Sequence, residues 1–102
     1  MQYLCEGSIM ITNNIDLTES DFQITADGVF TVDLADTNTD SGHGLIMPDP
    51  ASFPEKPITI INRDPDNLAI VKGNTVFQSN VHASNIVIYT SNGVDWYGIG
   101  NI

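Results

Sequence analysis

Cysteine, positive charge and long apolar runs are all scarce in this chain of 102 residues. The single cysteine, Cys5, excludes an internal disulfide framework, and with no Cys-x-x-Cys spacing and no Cys/His cluster there is no structural zinc motif. Only 3 Lys and Arg stand against 13 Asp and Glu, a formal net charge of -10. A field of that sign repels phosphate backbones and anionic lipid head groups, so neither nucleic acid nor a membrane surface is expected as a partner. The opening MQYLCEG lacks the basic start and apolar stretch of a secretory signal, and no apolar run reaches the ~18 residues of a membrane span. The expectation is a soluble chain made in the cytoplasm, with no signal peptide and no membrane insertion.

Good helix formers are also in short supply: Ala, Leu, Met, Gln, Glu, Lys and Arg together number 22, against 29 β-branched Ile, Val and Thr. β-branched side chains are stiff at χ1 and fit a pleated surface, so the composition predicts sheet. The length suits one domain over residues 1–102, and 41% hydrophobic residues suffice for one small core. A domain of this size hides only about two-thirds of its unfolded-chain surface, which leaves stability marginal and favours oligomerisation.

The pattern along the chain is of short alternating runs punctuated by turn residues. Gly7–Thr12 and Ile15–Leu17 read as two short strands or one bent strand. Asp21–Thr25 and Val29–Leu34, joined by Ala26-Asp27-Gly28, read as a hairpin with Phe30, Val32 and Leu34 on one face. Residues 35–44 form a polar loop, and four prolines between Pro48 and Pro57 forbid a regular ladder there, predicting an irregular crossover between sheets with one helical turn near Ala51 to Phe53. Ile58–Asn62 and Leu68–Val71 read as a second hairpin across the turn Arg63–Asn67, and Thr75–Phe77 as a strand before a polar stretch at 78–85. Ile86–Thr90 and Asp95–Ile99 read as a third hairpin, on a type I′ bend at Asn92-Gly93. No repeat of 20 to 50 residues is visible, which argues against a solenoid or propeller. The fold class expected is all-β: a small antiparallel β-sandwich, jelly roll or barrel of seven to nine short strands.

Two segments of the second half carry a resemblance. Leu45-Ile-Met-Pro-Asp-Pro-Ala-Ser-Phe-Pro-Glu-Lys56 leads into Ile58-Thr-Ile-Ile-Asn62, and the chain closes on Tyr89-Thr-Ser-Asn-Gly-Val-Asp-Trp-Tyr-Gly-Ile-Gly100. This order resembles C-terminal β-domains of bacteriophage virion proteins, among them tail fibres, head fibres and capsid decoration proteins, in which a proline-rich crossover precedes a terminal Trp-Tyr hairpin. Glu55 replaces the usual glycine of the crossover and Asn92 the usual aspartate of the turn. The resemblance covers residues 45–100 and implies a structural protein of the virion, commonly a homotrimer. Its partners would be its own copies, other virion proteins and a host-surface glycan, and its roles host attachment or particle stability.

The candidate site residues each have a bland reading. Asp36-x-Asn38-x-Asp40 imitates the start of a calcium loop, but its glycine, Gly42, falls one place late and Met47 stands where a bidentate Glu is needed, so a solvated turn is expected. The Asp64–Asn67 turn is expected to bond to its own backbone. His43 and His82 lack sequence neighbours that ligate metal, although three copies of either at a trimer axis would create a site. No nucleophile elbow, P-loop or HExxH occurs, and the chain is read as a non-enzyme without metal or cofactor. The alternative function is a monomeric carbohydrate-binding module that stacks Tyr89, Trp96 or Tyr97 on a sugar. Core packing is the favoured reading of Trp96, and the loop at 36–44 and the stretch at 78–85 the favoured contact tips.

Overall fold

The computed structural model describes residues 10–34, 43–52, 56–73 and 78–100. It holds nine strands: β1 (Met10–Asp16), β2 (Phe22–Gln23), β3 (Gly28–Leu34), β4 (Gly44–Ile46), β5 (Ile58–Asn62), β6 (Ala69–Lys72), β7 (Gln78–Val81), β8 (Ile86–Ser91) and β9 (Trp96–Gly100). A 3-10 turn, Pro50–Ser52, falls in the proline-rich crossover. The strands form a five-stranded sheet in the order β1-β3-β5-β8-β9 and a four-stranded sheet in the order β2-β4-β6-β7.

Alternating burial shows how the sheets stack. In β5 residues 58, 60 and 62 are buried and 59 and 61 half-buried, while β8 buries Val87, Tyr89 and Ser91. Phe30, Val32, Ile58, Ile60, Val87, Tyr89 and Trp96 from the larger sheet meet Leu45, Ala69, Val71 and Val81 from the smaller in one apolar cluster, closed by Leu17, Ile24 and Met47 beside the strand ends. Contacts that span the layers include the bond of the Tyr89 hydroxyl to Ser79 Oγ at 3.0 Å and the Phe22 and Phe30 rings, 6.4 Å apart at a tilt of 54°.

The all-β class holds, and so does the crossover between sheets, since β4 and β5 lie in different layers. The antiparallel arrangement does not. β1, β3 and β5 are mutually parallel, as are β2, β4 and β6, and only the pairs β5-β8, β8-β9 and β6-β7 are antiparallel. The stretches 21–25 and 28–34 are therefore no hairpin, nor are 58–62 and 69–72: each pair is an arch that carries the chain from one sheet to the other. Up to β6 the chain alternates between layers, so three successive coils stack as a flattened parallel solenoid, against the expectation that none is present. The missing repeat has a physical cause. Met10 stands opposite Gly28 and Gly28 opposite Ile58, spacings of 18 and 30 residues, so coils stacked in register differ in length and leave no period.

β1 is one bent strand. Thr12 pairs with Phe30 and Ile15 with Val32, so β1 advances three residues while β3 advances two, a bulge at Asn13-Asn14. β7 (Gln78–Val81) pairs antiparallel with β6, which places a strand in part of the polar stretch 78–85. The sequence-predicted strand Thr75–Phe77 lies outside the described residues.

Candidate functional site

The two segments that carry the resemblance form one bonded unit. Trp96, on the first position of β9, points into the core and donates its indole N–H to the carbonyl of Pro48 at 2.9 Å. Ser91, at the end of β8, donates its hydroxyl to the carbonyl of Pro50 at 2.7 Å and accepts the N–H of Gly93 at 2.9 Å. The hairpin thus satisfies two carbonyls of the proline-rich crossover.

The hairpin turn is wider than a type I′ bend. Ser91 pairs with Trp96, leaving a four-residue loop, 92–95, in which Gly93 alone has positive φ, at 94°. Asn92 acts instead as a cap: its Oδ1 accepts the N–H groups of Val94 and Asp95, both at 2.9 Å, and its Nδ2 donates to the Tyr97 hydroxyl at 3.2 Å.

Alternation on β9 sends Trp96 inward and Tyr97 outward, as the sequence predicts. Tyr89 is fully buried, and its ring fills the space a side chain at Gly98 would occupy, with Cε1 2.9 Å from the ideal Cβ position. The gap at Gly98 thus accommodates an aromatic ring. Burial raises the Tyr89 phenol above its ordinary value, and the bond with Ser79 offsets part of that rise. With Trp96 and Tyr89 enclosed, Tyr97 is the one ring of the three whose face is open, and the sugar-stacking platform of three rings is not formed.

His43 is half-buried, its Nδ1 3.7 Å from Asp21 Oδ1. That oxygen also accepts the Gly44 N–H at 2.7 Å and faces Lys72 Nζ at 3.5 Å. The Gly44 bond, then the Lys72 and His43 charges, hold the Asp21 carboxyl below the usual range, although desolvation works the other way. His82 is exposed and follows β7, which β6 separates from the β4 strand beside His43, so the two histidines are not brought together. Among the described residues no three His, Cys, Asp or Glu converge as metal ligands. The Asp64 turn bonds to itself as expected: Asp64 Oδ1 accepts the N–H groups of Asp66 and Asn67 at 2.9 and 3.1 Å. Asp36, Asn38 and Asp40 lie outside the described residues, as does Cys5.

Sequence reasoning missed the outer face of the five-stranded sheet. Ile86 and Ile88 of β8 and Tyr97 and Ile99 of β9 point away from the core and are 46%, 41%, 51% and 62% exposed. Register makes them contiguous, with Ile61 opposite Ile86, Ile88 opposite Ile99, and Thr90 opposite Tyr97. β5, β8 and β9 contain no charged residue, in a chain with 13 acids. That absence is the signal in the sequence that could have found the face. No family model, no curated protein and no solved structure matches this chain.

Proposed function

We propose that this chain is a structural component of a bacteriophage particle: a homotrimeric head-fibre, tail-fibre or capsid-decoration domain that contributes adhesion or particle stability. The observation that carries the reading is the bonded unit of crossover and hairpin. The two segments that resemble phage virion domains stand about forty residues apart, yet Trp96 and Ser91 of one bond the Pro48 and Pro50 carbonyls of the other. A pattern whose halves are physically coupled is one that a common fold would require. The mechanism is burial and avidity, because three linked copies multiply a weak receptor contact through effective concentration. The monomeric carbohydrate-binding reading keeps only Tyr97 of its three rings.

The test is mass spectrometry of gradient-purified particles together with electron microscopy of particles labelled by antibody to this chain. The chain is expected in the particle fraction with label at a fixed position on head or tail. Recovery of the chain solely from the particle-free fraction overturns the reading.

A further inference from the structure

We propose that the outer face of the five-stranded sheet over β8 and β9 is the surface through which copies of this chain meet, turned toward the axis of a homotrimer. This rests on the trimeric reading above and adds the face, which that reading left open.

Three observations carry it. Ile86, Ile88, Tyr97 and Ile99 are each exposed between 41% and 62% and adjoin one another across two strands. Together they expose about 400 Å² of mostly apolar surface, as large as the main patch on many monomers and about half of the roughly 800 Å² per partner in a standard interface. Thr59, Ile61 and Thr90 on the same face enlarge it.

The second observation is the charge pattern. Among the described residues, charge stands at the rim of the patch and not within it: Asp33 is paired with Arg63 at 3.1 Å beyond β5, and exposed Asp95 precedes β9. That pattern selects the occupant. A basic partner would be drawn to the acids elsewhere on the surface, whereas a second copy carries the same net charge of -10 and meets like-charge repulsion wherever acids face each other. Two copies approach without that penalty only through uncharged surface, and an apolar core with charge at its rim is the usual anatomy of a specific interface.

The third is the edge. Among the described residues β9 ends the sheet, and Trp96–Gly100 carries neither the lysine nor the proline by which exposed edges ordinarily avoid pairing. An assembly in which neighbouring copies cover the β8-β9 corner accounts for both the bare edge and the apolar face.

Light scattering after size exclusion, with sedimentation velocity, on the intact chain at micromolar concentration tests the proposal. Wild type is expected at about three times 11.1 kDa. Ile88→Asp and Ile99→Asp are expected to shift the mass to one chain, with association weakened at least ~100-fold, because a buried unpaired carboxylate enters the interface. Val94→Asp, at the exposed turn tip, should leave the mass unchanged. Circular dichroism and Trp96 emission report whether each variant is folded, and Ile88→Thr, which suits a strand, serves if Ile88→Asp unfolds. A wild-type trimer indifferent to the face variants overturns the face and leaves the trimeric reading standing. A wild-type monomer overturns both, and a dimer lost on substitution overturns the threefold arrangement.

Discussion

A buried amide is costly unless each of its groups is matched, and Asn62 is matched throughout. Its Nδ2 donates to the carbonyls of Asn67, Val81 and His82 at 2.8, 3.1 and 3.3 Å, and its Oδ1 accepts the Asp64 N–H at 3.0 Å, so one side chain ties the end of β5 to the following turn and to β7. Asn62→Ala orphans these groups and is expected to cost about 2–3 kcal/mol in urea denaturation. Two glycines separate space from conformation. A Cβ at Gly44 would stand 2.5 Å from the Ile70 carbonyl oxygen, a backbone atom that cannot step aside, whereas Gly93 has open space but φ of 94°. Gly44→Ala should cost about 3 kcal/mol or more through overpacking and Gly93→Ala about 1–2 kcal/mol through backbone strain, distinguishable in the same titration. pH acts at both extremes. Hydrogen bonds from Thr18 lower Asp16, and the Gly44 N–H lowers Asp21, from the unperturbed 3.8, so their contribution is present above that value and is lost as pH falls through the folded-state values. Asp21→Asn should flatten the acid limb of stability against pH. Tyr89 is raised, so its contribution is intact below the unfolded value of 10.0 and lost as pH rises beyond it, and Tyr89→Phe should flatten the alkaline limb. The inward Trp96 and outward Tyr97 were legible from strand parity, whereas Asn62 was not, because its acceptors come from residues five to twenty positions away.

Most strand positions and the β8-β9 pairing were legible, whereas the parallel partners were not, for a reason visible in two turns. The run from Phe22 to Leu34 alternates inward and outward whether its two strands pair edge to edge or face each other across a core. Periodicity fixes the direction of a side chain relative to the interior and leaves the neighbour undetermined. Asp27-Gly28 and Asn92-Gly93 look alike in sequence, yet the first opens an arch between sheets and the second lies in a hairpin loop. The difference lies in tertiary pairing: β3 finds β1 and β5 on its two sides, leaving no edge for β2. At the hairpin itself, Asn92→Ala removes the acceptor for two N–H groups and should cost about 1 kcal/mol, with Asn92→Asp retaining most of the stability because a carboxylate accepts the same bonds. Thermal unfolding followed by far-ultraviolet circular dichroism measures both. The association face was hidden for a related reason: Ile86 and Ile88 are as apolar as Val87 and Tyr89, so apolarity alone does not say which face of β8 the smaller sheet covers.

For the whole molecule, charge and burial oppose each other. A chain at -10 repels its own copies, and salt screens exposed acids while leaving apolar contact intact. Raising sodium chloride from about 20 mM to about 500 mM, where the screening length falls from about 20 Å to a few ångströms, should therefore tighten the proposed trimer, as measured by light scattering on dilution. The coiled path has a further consequence, in time rather than energy. Its parallel pairs in the larger sheet join residues 17 to 30 positions apart, and the smaller sheet repeats this at 23 and 26 (Phe22 with Leu45, Gly44 with Ile70). Pairings so distant close large loops before they are rewarded, which slows folding toward the milliseconds-to-seconds range of high contact order. The locally paired β8-β9 hairpin can form by itself, but β5 must reach it before the winding is held at that end. During synthesis, the coils that emerge first therefore wait for β8 and β9 to lock them.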